Sequence, residues 1–298
     1  MNRILLLGAN GQVGWELQRS LAPLGELVSC TRAEADLAQP NRLLALVERL
    51  EPHVIVNAAA YTAVDKAESD EAVARQINAD SVALLAQLAA TSGAWLVHYS
   101  TDYVFDGTHD RPYVETDATR PMSVYGQTKC QGEHAVTASG CRHLIFRTSW
   151  VYSARGNNFA KTILRLASER DMLKVVADQV GAPTSAELIA DVTALALYRL
   201  AYDAQLAERA SGIYHLVAAG EISWHAYAQY VISYAAGQGF ALKISADHVN
   251  AITTAEYPTP ACRPANSRLN TMKLQHTFDL HLPDWQVHAD RMLEELLA

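Results

Sequence analysis

Short apolar runs alternate with longer amphipathic stretches through the first half of the chain. The runs are Ile4 to Leu7, Leu27 to Ser29, Val54 to Val56, Trp95 to Tyr99 and Leu144 to Phe146. Runs that are apolar throughout, rather than at every second position, suit strands buried on both faces. Helical spacing is predicted over 12–24, 41–50, 72–92 and 125–136. In the second of these, Leu43, Leu44, Val47 and Leu50 share one face. Strand–helix alternation with short connections predicts an α/β protein with a doubly wound parallel sheet. After about Trp150 the pattern loosens. Helices are predicted over 159–168, 186–200 and 224–236, with Pro- and Thr-rich loops between, such as 256–264. The expectation is one domain over 1–150 and a smaller one over 151–298, with some segments of the second returning to the sheet.

The bulk composition narrows the field. A chain of 298 residues fits one layered domain with a smaller companion. Half the residues are hydrophobic and 19% are charged, enough for a sizeable core. The net charge is -8 with both signs scattered, so there is no electrostatic footprint for nucleic acid. Any phosphate must be held by local backbone donors and a few placed Arg or Lys. Cys30, Cys130, Cys141 and Cys262 stand far apart, with no CxxC pair. That argues against zinc ribbons and thioredoxin-type motifs, and for free buried thiols in a reducing compartment. The start, MNRILLLGANGQVG, does not read as a signal peptide, because glycines follow the short apolar run at once. No apolar stretch is long enough to span a bilayer. A soluble cytoplasmic protein, without membrane or nucleic-acid partners, is expected.

Gly8, Gly11 and Gly14 follow the first strand as G-x-x-G-x-x-G and open a helix near Gln12 and Val13. Such a loop turns tightly and lets its backbone approach a pyrophosphate, which only glycine permits at little cost. The helix N-terminus then favours an anion through its free N–H groups and dipole. This predicts a Rossmann-like dinucleotide site. Arg32 stands after the second strand, where the adenosine ribose would lie. There it either meets a 2′-phosphate, favouring NADPH, or is a solvated surface arginine. Asp36 and Leu37 follow as further cofactor candidates, so NADH also stays open. The third strand runs into Ala58-Ala59-Ala60-Tyr61-Thr62, where small residues leave room for a flat ligand. Ala60, Tyr61 and Thr62 are candidate contacts.

The fourth strand ends in Tyr99-Ser100-Thr101-Asp102-Tyr103, with Tyr99 a candidate cofactor contact. Downstream, Tyr125 and Lys129 are i and i+4 on a predicted helix and share one face. A nearby ammonium is expected to lower the pKa of Tyr125, so that the phenol exchanges protons near neutrality. The lysine is expected to reach the nicotinamide ribose. Thr101 can donate to the substrate oxygen. In the second half, prolines at 258, 260 and 264 exclude a central strand or helix interior. A rigid loop at the mouth of a cleft is predicted. Within it Arg263 is the candidate for a diphosphate, with Asn266 and Ser267 as polar neighbours. The alternative is that Arg263 pairs with a carboxylate and pins the loop.

The segments GANGQVGWELQRSL, VIVNAAAYTAVDKAE, HYSTDYVFDG, YGQTK, FRTSWVYSARGNNFAKT, DQVGAPTSAELIAD and RPANSRLNT span both halves. In this order they resemble the dTDP-4-dehydrorhamnose reductases, of the extended short-chain dehydrogenase/reductase class. STDYVFDG and RPANSRLNT are distinctive of that family. The resemblance implies hydride transfer from NADPH or NADH to C4 of a dTDP-4-dehydro sugar. It implies Tyr125 as proton donor, with Lys129 and Thr101 assisting, and contact of Thr101, Asp102, Tyr125 and Trp150 with the sugar nucleotide. Some members bind magnesium through acidic residues at a homodimer contact, and Glu16 and Glu187 sit in matching segments. A homodimer and Mg2+ are therefore expectations of the resemblance. Two other readings remain. One is a nucleotide-sugar epimerase or dehydratase, although Tyr103 stands where a dehydratase usually sets the second acid. The other is a non-catalytic NADP-binding regulatory subunit, although the catalytic trio is present.

Overall fold

In the computed structural model, which describes residues 3–297, six strands form one parallel sheet. They are β1 (Arg3–Leu7), β2 (Glu26–Cys30), β3 (Val54–Asn57), β4 (Trp95–Thr101), β5 (Arg142–Thr148) and β6 (Gly212–His215). The order across the sheet is β2-β1-β3-β4-β5-β6, and every pairing is parallel. The last strand comes from the second half of the chain. The winding reverses between β1 and β3, and such a switch point leaves a crevice above the carboxyl ends of the strands.

Successive side chains of a strand point to opposite faces. Ile4 and Leu6 enter the core on one face with Val54, Val56, Val97 and Phe146. Leu5 and Leu7 enter the other with Ile55, Leu96 and Ile145. Both faces are dry, which is why the runs are apolar at every position. The first face is covered by helices Gln12–Leu21, Phe159–Glu169, Ala186–Tyr202 and Trp224–Gly237. The second is covered by Pro40–Leu50, Ser81–Ser92 and Val124–Ala138. Each fully buried Leu, Ile or Val contributes about 1.5–3 kcal/mol. No helix among the described residues is long and apolar enough to cross a membrane. Cys30, Cys130 and Cys141 are buried free thiols, whereas Cys262 departs from the expectation and is exposed.

Two predicted helices differ from expectation. The first ends at Leu21, and Ala22–Leu24 tightens into a 3-10 turn around Pro23, whose missing N–H cannot continue the ladder. The long helix over 72–92 is interrupted. Glu71–Arg75 and Ser81–Ser92 flank a π turn, Gln76–Asp80. The wider turn presents Asn78 inward, where it clamps the loop after β3. Asn78 accepts from Tyr61 N at 2.9 Å and donates to Tyr61 O at 3.1 Å. Helix Val124–Ala138 crosses this turn at Gly132, whose hypothetical Cβ would lie 2.3 Å from the Asn78 carbonyl oxygen.

That contact gives a test of the scaffold. Gly132→Ala forces helix and turn apart, and overpacking of this kind costs about 1–3 kcal/mol. A fall in melting temperature is expected. An unchanged melting temperature would show that the two segments separate freely.

Candidate active site

A cleft of about 710 Å³ lies at the carboxyl ends of β1, β3, β4 and β5. Its cofactor end is built from the glycine turn. Gly8 has φ +80°, and a Cβ on it would lie 2.8 Å from Ala59 N. A Cβ on Gly14 would lie 2.0 Å from the Gly8 carbonyl oxygen. Gly14 is thus a close-packing residue off the cleft wall, while Gly8, Gly11, Gln12 and Val13 line it. Helix Gln12–Leu21 begins without a side-chain cap. Its first N–H groups are left for an anion. This cradle fits a dinucleotide pyrophosphate.

Arg32, Asp36 and Leu37 also line the cleft. The Arg32 side chain is 75% exposed, with Nε 3.5 Å from Asp36 Oδ2. Ala60 and Thr62 face the cleft, but Tyr61 is not among the lining residues. Its hydroxyl donates to Asp70 Oδ2 at 3.0 Å instead, while Asn78 holds its backbone. Small side chains line this wall, and the large one is turned outward.

The catalytic end gathers Thr101, Asp102, Tyr125, Lys129 and Trp150. Helix Val124–Ala138 starts at the Ser123 cap, whose Oγ accepts from Gly126 N at 3.2 Å. Thr101 Oγ1 donates to Asp102 Oδ1 at 3.0 Å and faces the phenol of Tyr125. The sharing of a helix face by Tyr125 and Lys129 does not have the expected electrostatic result. Burial, and then the charge of Asp102, push the Tyr125 phenol up to about 12. The lysine points elsewhere. Its Nζ donates to the Tyr99 carbonyl at 2.6 Å and lies 3.3 Å from His98 Nε2. Burial brings Lys129 down to about 8, against the opposing pull of Glu133. Tyr125 is therefore held neutral, the state a proton donor needs. Tyr99 acts through its carbonyl, its own hydroxyl being bonded to Thr193 at 2.8 Å.

Asp102 is 3% exposed, and its Oδ2 has no hydrogen-bond partner. Burial raises its carboxyl to about 6, against the opposing influence of nearby Ser267 and of the Thr101 hydrogen bond. Trp150 has φ +50°, an unusual conformation for a bulky residue, of the kind stored at functional sites. Its ring stacks on Trp224 with centroids 3.5 Å apart. A Cβ on Gly181 would lie 2.8 Å from that ring, so glycine there lets the indole lie flat.

The loop over 256–267 supports the site rather than lining it. Arg263 Nη2 donates to Asp65 Oδ2 at 2.8 Å, so the guanidinium has a carboxylate partner, while its Nε is buried without one. The Asn266 amide donates to the carbonyls of His109 and Arg111, both at 2.8 Å, and its oxygen accepts from Arg268. That amide has no donor left for a ligand. Ser267 is buried behind the cleft, near enough to Asp102 to influence its carboxyl. Glu16 and Glu187 do come near one another, and Glu187 is among the causes that raise Glu16. Each is paired with an arginine, Glu16 with Arg19 at 3.7 Å and Glu187 with Arg291 at 3.3 Å. Among the described residues no group of three or more His, Cys, Asp or Glu gathers to hold a metal. With both carboxylates paired to arginines and no such group present, the Mg2+ expectation is not supported.

Sequence reasoning missed Asn157 and Ser149, which line the cleft, and Asn57, Asn78 and His98, which stand behind it. HYSTDYVFDG and the RGNN segment were the available signals.

The glycine turn, the sheet order and the Tyr/Lys helix define a Rossmann-type nicotinamide enzyme of the short-chain dehydrogenase/reductase class. Comparison with known proteins refines this. The family model for the RmlD substrate binding domain matches residues 1–298. The chain is 54% identical to the dTDP-4-dehydrorhamnose reductase of Salmonella typhimurium, over 99% of this chain and 98% of that protein. It is 49% identical to that of Burkholderia thailandensis, over 99% of each. Among solved structures, the Clostridium acetobutylicum reductase superposes with TM-score 0.89 at 35% identity, over 99% of this chain and 100% of that one. The Bacillus anthracis reductase in complex with NADP superposes with TM-score 0.85 at 33% identity, over 99% of each. The chain belongs to the dTDP-4-dehydrorhamnose reductase family.

The raised Asp102 gives a pH test. Its folded pKa of about 6 lies above the ordinary 3.8. Between those values the folded state holds more protons than the unfolded one, so stability falls as pH rises through that window. Above it a buried charge costs up to about 3 kcal/mol. Asp102→Asn is expected to gain melting temperature over the parent at pH 8 and to lose that gain near pH 4. The same difference at both pH values would show that the carboxylate is not penalised by burial.

Proposed function

We propose that this protein reduces the C4 ketone of dTDP-4-dehydro-L-rhamnose to dTDP-L-rhamnose, using NADPH or NADH. This step of dTDP-rhamnose synthesis serves cell-surface polysaccharide. The observation that carries the reading is a half-buried, neutral Tyr125 beside Thr101 at the switch-point cleft of a family member. We read residues 1–150 as the cofactor half and 151–298 as mainly the substrate half.

The bound nicotinamide supplies the hydride. Tyr125 gives its phenolic proton to the oxygen as charge develops there, and the Thr101 hydroxyl, turned from Asp102 to the substrate, donates a hydrogen bond to the same atom. Backbone N–H groups at Gly11 to Val13 hold the pyrophosphate. Lys129, anchored on the Tyr99 carbonyl, orients the nicotinamide ribose. Asp102 Oδ2, lacking a protein partner, receives a sugar hydroxyl. Trp150 supplies a flat wall. A dehydratase needs a second acid beside Asp102, where this chain has Tyr103. A regulatory subunit has no need of a proton donor.

Tyr125→Phe should keep its melting temperature and NADPH affinity, while kcat for the keto sugar falls by about 10²- to 10⁴-fold. Near-normal kcat would remove the tyrosine from its role. For Arg32→Ala, KM for NADPH is expected to rise about tenfold, the scale of one lost charge-assisted hydrogen bond, with KM for NADH almost unmoved. Equal changes for both cofactors would leave Arg32 a solvated side chain.

A further inference from the structure

We propose that Tyr103 is a positioning residue that sets the spacing of the two groups aimed at the substrate oxygen, Thr101 and Tyr125. It stands in the 3-10 turn Asp102–Val104 that follows β4, and it lines the cleft. Three of its parts meet the catalytic end. Its N–H donates to Thr101 Oγ1 at 3.2 Å. That bond fills one lone pair of the hydroxyl and leaves its hydrogen to be given away. Its carbonyl oxygen lies under the first turn of helix Val124–Ala138, where a Cβ on Gly126 would come within 2.3 Å. Its ring packs on that of Tyr125 at 78°, with centroids 5.6 Å apart.

The ring contact matters because of where Tyr125 stands. It is the second residue of its helix. Side chains further along a helix lie back over the preceding turn, which limits their rotamers. Tyr125 has no such turn before it. Lys129 does not hold the phenol either, since its Nζ is bonded to the Tyr99 carbonyl. The Tyr103 ring meets Tyr125 near the edge-to-face angle that aromatic pairs favour, and so supplies the stop that the helix lacks. The same residue holds the Thr101 hydroxyl by its backbone. One short turn thus carries the reference points for both donors. Two donors that must converge on one oxygen tolerate little displacement, and a shift of about 1 Å can cost about 10²-fold in rate. Burial pushes the Tyr103 phenol above its ordinary value, so the ring adds no charge beside Asp102.

The inference rests on the reductase reading, which assigns the two donors, but its first readout does not use turnover. In tyrosine-labelled wild-type protein, Overhauser contacts are expected between the ring protons of Tyr103 and Tyr125, assigned with Tyr103→Phe and Tyr125→Phe. Their absence overturns the proposal. The second readout is rescue. Tyr103→Leu removes the ring, and kcat for the keto sugar is expected to fall about tenfold or more at unchanged NADPH affinity, the scale of a misplaced group. Tyr103→Phe keeps the ring and should keep kcat near the parent value. The third is a double-mutant cycle, which a general loss of structure would not satisfy. With no phenolic proton left to place, Tyr103→Leu should cost almost nothing further in Tyr125→Phe protein. A leucine variant with full kcat, a phenylalanine variant as impaired as leucine, or the same fold-loss in both backgrounds overturns the positioning role. If Tyr103→Leu does not fold, the wild-type spectrum and Tyr103→Phe decide. Wild-type protein inert toward the keto sugar would end the reductase reading and leave the ring contact standing.

Discussion

A parallel sheet that is dry on both faces can carry polar chemistry only at its ends. Ile4, Leu6, Val54 and Phe146 close one face, and Leu5, Leu7, Ile55 and Ile145 close the other. Every group that must meet a ligand is therefore displaced to the carboxyl ends of the strands. The winding reverses between β1 and β3, so the helices there diverge and leave the cleft open. The glycines follow from the same constraint. A helix must start directly above β1 and still lie against it, and the space between Gly14 and the Gly8 carbonyl holds no side chain.

The same dryness sets the acid–base chemistry. Tyr125, Lys129 and Asp102 lie where water is scarce, and burial moves each toward its neutral form. A reductase needs a phenol that keeps its proton until the substrate oxygen gains charge. Burial and the nearby carboxylate provide that, and an ammonium beside the ring would work against it. The catalytic helix is held to this end by Gly132, seated on the π turn, and by the Glu133–Arg147 pair behind it, at 2.6 Å. That turn also fixes the loop after β3 through Asn78. One irregularity thus sets two walls of the cleft.

The strands, the glycine turn and the Tyr/Lys helix were legible because each leaves a periodic or spaced mark in the sequence. The π turn leaves none. A shift of hydrogen-bond register inside an alanine-rich helix does not disturb the apolar spacing of 72–92. Helical spacing put Tyr125 and Lys129 on one face, but it could not say where the amine points. That is decided by His98 and the Tyr99 carbonyl on β4. Spacing leaves Arg263 open between a diphosphate and a carboxylate for the same reason: its partner, Asp65, is 198 residues away. Local chemistry is visible in a sequence, whereas partners brought together by the fold are not.

The stacked indoles have a consequence of a different kind. Trp150 lies just past the end of β5, and Trp224 opens helix Trp224–Gly237 in the other half of the chain. Rings this close share their electronic excitations and dim each other's emission. The two halves thus carry a built-in optical gauge across their junction. Separation of the two rings would brighten them against the steady signal of the other three tryptophans.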